Sequence, residues 1–107
     1  MRYTVLTVKW LKVAGMAVYP FILINDNRLR HDQLLLRHEE IHLRQQVELL
    51  ILPFYLLYLI NYLINRIRYK DHDTAYRHIV FEKEAYDLEA DTHYLKRRRF
   101  LAWRRYV

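Results

Sequence analysis

Apolar residues fall first into short strand-like runs and then recur at helical spacing. "YTVLTV" (residues 3–8) is rich in β-branched side chains and predicts a strand. "GMAVYPFILI" (residues 15–24) predicts a second, which Pro20 either confines to a sheet edge or breaks. Together they suggest a β-hairpin or a small sheet edge, closed by a turn at "NDN" (residues 25–27).

Helical pattern then takes over. Asp32 predicts an N-cap for a helix starting near Gln33, with apolar positions at Leu34, Leu35, Ile41, Val47 and Leu49. The pattern runs on into "LLILPFYLLYLINYLI" (residues 49–64). Pro53 lacks a backbone donor and clashes with the preceding turn, which predicts a kink or break there. "YKDHDTAY" (residues 69–76) is the clearest connection. Asp73 or Thr74 would cap a last long helix over residues 75–99, with a core stripe of Phe81, Ala85, Leu88, Thr92 and Leu95.

These elements predict a mainly α fold: one small helical domain over residues 1–107, with a short N-terminal β-hairpin or edge strand. The first and last long helices would pack nearly antiparallel, bridged by the apolar segment. One glycine and two prolines agree with long helices and few tight turns.

No formal charge occurs over residues 49–65, a run of 17. That is the lower edge of what spans a bilayer, and Pro53, Asn61 and Asn65 interrupt it. Two readings stand: a buried helix pair, or a segment at a membrane interface flanked by Arg66, Arg68 and Lys70. The net charge of +6 has a second concentration in "KRRR" (residues 96–99) with Arg104 and Arg105. Such clusters favour anionic surfaces. No finger, RNP-like strand or helix-turn-helix spacing accompanies them, which argues against a nucleic-acid partner. Lys9 and Lys12 interrupt the early apolar residues, so no signal peptide is expected, and the chain reads as membrane-associated or cytoplasmic.

There are no cysteines and six histidines, so any metal is held by His, Asp or Glu. "RHEEIHLRQQ" (residues 37–46) contains H-E-x-x-H. Residues four apart lie on one face of a helix, so His38 and His42 can direct both imidazoles at one point. Zinc suits neutral imidazole ligands. Glu39 is rotated by about 100° from His38 and stands beside the metal without binding it. That is the place for a general base acting on a zinc-bound water. With six His and six Glu in the chain, roughly 2% of shuffled sequences contain the motif by chance.

A catalytic zinc needs a third protein ligand. "FEKEAYDLEAD" (residues 81–91) offers Glu82, Glu84, Asp87, Glu89 and Asp91. Glu82 is preferred because Ala85, on the same face, lets this helix approach the zinc helix closely. Glu84 would point about 200° away, towards solvent. Glu89 shares the Glu82 face two turns on and would support a ligand histidine.

H-E-x-x-H followed by a helix carrying E-x-x-A resembles the gluzincin metallopeptidases. More closely, "HEEIHLRQQVELL" with "AYRHIVFEKEAYDLE" resembles a family of small bacterial zinc metallopeptidases, over residues 20–95. The resemblance implies a single minimal zincin-like metallopeptidase domain over residues 1–107, with His38, His42 and Glu82 as zinc ligands, Glu39 as base and a peptide or protein substrate. Only 39 residues separate His42 from Glu82, which leaves little room for a substrate-binding subdomain and argues against proteolysis of folded proteins.

Other groups carry weaker expectations. Gln45 lies one turn beyond His42 and either orients a ligand or makes a packing contact. "DHD" (residues 71–73) reads as a loop with a helix cap rather than a metal site. His78, Tyr76 and Tyr86 are candidate transition-state donors. His31 and His93 read as surface residues. The "MAVYPFILI" edge could pair with an extended peptide, though ordinary sheet packing is the simpler reading. The leading expectation is a zinc-dependent hydrolase, most simply a peptidase. Its rival is a non-catalytic membrane-associated helical protein with a structural metal or pseudo-active site.

Overall fold

The apolar run over residues 15–24 forms two strands rather than one. The computed structural model describes residues 3–107 and contains β1 (Thr4–Thr7), β2 (Gly15–Val18) and β3 (Phe21–Ile24). Tyr19 and Pro20 make the turn between β2 and β3, where Pro20 costs no ladder hydrogen bond. The sheet order is β1-β3-β2, with β3 parallel to β1 and antiparallel to β2. β2 is therefore an edge strand.

Asp32 caps α1 (Gln33–Glu48) as expected, its carboxylate accepting from Leu35 N. α1 ends before Pro53. Leu50 N bonds to Val47 O and Ile51 N to Gln46 O, the paired contacts of a Schellman motif. Leu50, at φ 61°, occupies the left-handed position that usually holds glycine. α2 (Leu52–Arg68) then starts with Pro53 in its first turn, where a missing donor is harmless. The two helices are bent by 113°. Among the described residues no single helix is long and apolar enough to cross a membrane.

The expected helix over residues 75–99 is three helices: α3 (His72–Arg77), α4 (Val80–Leu88) and α5 (Tyr94–Arg97). Asp71, not Asp73 or Thr74, caps α3, accepting from the backbone and hydroxyl of Thr74. α4 has no cap of its own; Asn61 of α2 accepts from Val80 N. Asp91 breaks the chain after α4 by accepting from His93 N, a side-chain contact that competes with helix. Thr92 is consequently exposed, and Tyr94 takes its expected place in the core.

α1 lies between the sheet and α4. Leu36 and Leu43 pack with Ala17, Ile22 and Ile24 on one side. Ile41 packs with Ala85 and Tyr94 on the other. A third cluster, Phe54, Ile79 and Phe81, joins α2 to α4. Leu34 and Val47, expected in the core, are 47% and 42% exposed: Leu34 borders the cleft beside His38 at one end of α1, and Val47 stands beside the exposed Phe100 at the other. Nor is the apolar segment a buried helix pair, since one side of α2 faces outward.

Candidate metal centre

The two faces of α1 determine what meets at its middle. His38, His42 and Gln45 look toward α4, while Glu39 and Gln46 look toward the cleft beside β2. Ala85 has no exposed surface, and its small side chain lets α4 lie close to α1. Glu82 thereby reaches both imidazoles. Its Oε1 is 3.0 Å from His38 Nε2 and 3.1 Å from His42 Nε2. All three ligand atoms lie within 4.8 Å of one another, and all three residues are buried.

The outer nitrogens are already engaged. His38 Nδ1 donates to Glu89 Oε2 at 2.7 Å, since a carboxylate can only accept. His42 Nδ1 donates to Gln45 Oε1 at 2.8 Å. The Gln45 amide is fixed because its NH2 donates to Phe81 O and Glu84 Oε1. Both imidazoles therefore turn Nε2 toward Glu82. The Tyr58 hydroxyl donates to Glu82 Oε2 at 2.6 Å and leaves Oε1 facing the histidines.

These residues could hold a metal ion. His42 Nε2 is buried and, among the described residues, has no hydrogen-bond partner, despite its nearness to Glu82. Ligand bonds of about 2.0–2.1 Å at tetrahedral angles separate ligand atoms by roughly 3.3 Å. The two separations from Glu82 Oε1 are close to that value. A pair of neutral imidazoles and one carboxylate, each braced from behind, is an ordinary donor set for a divalent transition metal.

Electrostatics bind the cluster together. Burial disfavours charge on Glu82, but His42, His38 and Tyr58 outweigh it and hold the carboxyl well below its usual range. Burial opposes charge on His42, yet Glu82 and then Glu39 raise it to about 9. Glu39 moves upward because burial outweighs the attraction of His42 and His38.

Glu39 is buried and enters none of the hydrogen bonds around the three ligands. It lines two clefts, of about 350 and 500 Å³. The first also holds His42, Glu82, Met16, Phe54, Tyr55 and Tyr58. The second holds His38, Glu89, His72 and Tyr86. Val13, Gly15, Glu39 and Tyr76 border both, so a groove passes over Glu39.

The remaining candidates separate clearly. Tyr76 borders the groove, and Tyr86 OH lies 3.5 Å from its hydroxyl as a donor. Tyr86 packs edge-on against His38. His78 is turned away, donating from Nδ1 to Thr74 O and stacking on Tyr69. Gln45 orients His42, one of the three residues that could hold an ion. Glu84 does not face solvent: it is fully buried, where it accepts from Gln45, Tyr94 and Arg98. α4 is covered on several sides, and its outward side carries Lys83 and Asp87 rather than Glu84. His31 and His93 are exposed. Tyr58 and Arg98 had no local signal, because each acts on α4 from another element. Comparisons with protein-family models, with curated proteins and with solved structures return no match.

Proposed function

We propose that the chain is a zinc-dependent hydrolase of gluzincin type, and specifically a peptidase. The carrying observation is the buried convergence of His38 Nε2, His42 Nε2 and Glu82 Oε1, with both Nδ1 atoms tied off and an unbonded Glu39 carboxylate alongside. Zinc, when bound, supplies Lewis acidity: it polarises a carbonyl and lowers the pKa of water toward 7.

Each residue then has a separate task. His38, His42 and Glu82 hold the ion, and Glu89, Gln45 and Tyr58 hold them. Glu39 takes a proton from the attacking water and returns it to the leaving nitrogen. Its upward shift moves it toward the neutral range where a base can do both. Burial and Glu82 also raise the Tyr76 hydroxyl, which keeps it protonated as a donor to the developing oxyanion. The balance is that of hydrolysis: water adds to the carbonyl carbon, the C–N bond breaks, and carboxylate and amine leave.

A peptide substrate is favoured by β2. The register places the backbone groups of Met16 and Val18 toward β3 and those of Gly15 and Ala17 outward. Gln46 and Tyr55 already occupy Ala17 O. Ala17 N–H and Gly15 C=O stay on the groove side, available to an extended chain. An apolar side chain of that chain would enter between Phe54, Tyr55 and Tyr58.

The test is metal analysis followed by cleavage of a mixed peptide pool, read by mass spectrometry. The wild type should bind one zinc and cut. Glu39→Gln should keep zinc and lose at least about 10²-fold in rate. If that variant matches the wild type, the metal is structural and the non-catalytic reading replaces this one.

A further inference from the structure

We propose that the outward face of α2 is a membrane-binding surface that lies in the headgroup region of an anionic phospholipid bilayer. Phe54, Tyr58, Asn61 and Asn65 recur at helical spacing and turn inward. Leu52, Leu56, Leu59, Ile60, Leu63 and Ile67 cover the opposite side, each between 44% and 86% exposed. No polar side chain interrupts those six positions. Isolated exposed leucines are ordinary, but a continuous aliphatic face along a whole helix is not.

The face continues beyond the helix. Leu50, 79% exposed, sits at the corner between α1 and α2 in the left-handed conformation that favours glycine. A leucine there is unfavourable for the backbone and for hydration alike, unless its side chain has an apolar place to go. Phe100, 73% exposed, stands with Val47 and Arg44 near the end of α1.

Charge selects the occupant. Residues 49–70 include Arg66, Arg68 and Lys70 and no acidic residue. All three cations are exposed at the C-terminal end of the face. Exposed Arg99 precedes Phe100 at the other end. An anionic surface meets cations at both ends and aliphatic side chains between them. A protein partner would normally find aromatic or arginine anchors and about one hydrogen bond per 100–200 Å². The centre of this face offers none, and lipid requires none.

The helix lies on the bilayer and does not cross it. Seventeen residues at 1.5 Å each reach about 25 Å, short of a core of about 30 Å. Asn61 and Asn65 on the inner face are committed to the backbone of Val80 and Ala75. α2 also lines the groove through Tyr55 and Tyr58, so anchoring it holds the groove within about one helix diameter, 10–12 Å, of the headgroups. This inference does not rest on the hydrolase reading.

The test is flotation of the full chain with phosphatidylcholine vesicles, with and without phosphatidylglycerol. The wild type should float with the anionic vesicles and stay partly bound in high salt. Leu56→Gln with Leu63→Gln should weaken binding by roughly tenfold or more. Arg68→Gln with Lys70→Gln should weaken it on anionic vesicles by about fivefold per charge, and little on neutral ones. Circular dichroism and zinc content should not change, since these side chains are exposed. Ile67→Gln, at the most exposed position, gives a graded check should the double variant unfold. Absence of flotation overturns the proposal, and so does complete release by salt. A vesicle-free dimer broken by the leucine substitutions would assign the face to a second copy and overturn it too.

Discussion

Gln45 Oε1 accepts the Nδ1 proton of His42 at 2.8 Å, and that contact decides which imidazole nitrogen faces Glu82. The relation is enforced from the far side of the amide. Phe81 O and Glu84 Oε1 accept both Gln45 protons, so the amide cannot flip without losing them. Replacing Gln45 by Met should lower zinc affinity by about 10–100-fold, measured by competition with a chelator. A purely structural role would leave the tautomer alone. Imidazole nitrogen shifts of the zinc-free variant at high pH should instead show a mixture of tautomers at His42.

The same chain of contacts extends to Arg98. Its guanidinium pairs with Glu84 at 2.6 Å and Glu48 at 2.8 Å, and the Arg98 side chain is only 2% exposed. Burial opposes both charges of the pair, but the contacts outweigh it: Glu84 is held below its usual range and Arg98 above. Arg98→Met leaves two carboxylates buried without a counter-charge. Such a loss costs about 3–5 kcal/mol. Urea unfolding of Arg98→Met should show a loss of that size, and Glu84→Gln with Arg98→Met should recover part of it.

What could be read along the chain was what neighbours in sequence decide. Asp32 caps a helix three residues away, and His38 and His42 share a face by spacing alone. Glu82 and Glu89 followed from the same periodicity, with Ala85 marking the close approach. What could not be read depends on pairs far apart. Glu84 meets Arg98 only because Asp91 interrupts the helix between them. Tyr58 reaches Glu82 from another helix, and β3 pairs in parallel with β1 across a long connection. Helical periodicity over residues 75–99 carried no sign of the break before Val80, because Asn61, which accepts from Val80 N, lies on α2. The break after α4 is local, Asp91 accepting from His93 N, and the apolar spacing masked it.

The metal-free protein should show a stability window set by the ligands themselves. The folded His42 pKa is about 9 against an ordinary 6.5. Its stabilisation is complete below 6.5 and is lost as pH rises through 9. Glu82 is shifted the other way: its stabilisation is present above its ordinary 4.5 and is lost as pH falls through the depressed value. The pair therefore contributes most between 4.5 and 6.5. Denaturant midpoints of the zinc-free protein should decline from pH 6.5 to 9. Saturating zinc should remove that decline, because an ion in place of the His42 proton no longer titrates. Binding at pH 7 should also release close to one proton, measured by calorimetry in buffers of different ionisation enthalpy.

Leu50 tests whether the strained corner is tolerated for its side chain. It holds the left-handed position of the Schellman motif at φ 61°, with the side chain largely in solvent. Leu50→Gly removes a steric penalty of about 1 kcal/mol and little packing. A gain of that size raises the melting temperature of a chain this small by about 4–8 °C. The same substitution removes one apolar anchor from the face of α2. Thermal melts should therefore improve while vesicle flotation weakens. Leu50→Asn repeats the test with a side chain in place: asparagine tolerates the left-handed region but cannot insert into lipid, so it should also stabilise and also float less. If both variants bind vesicles as tightly as the wild type, the corner leucine makes no contact with lipid. The apolar surface would then begin at Leu52.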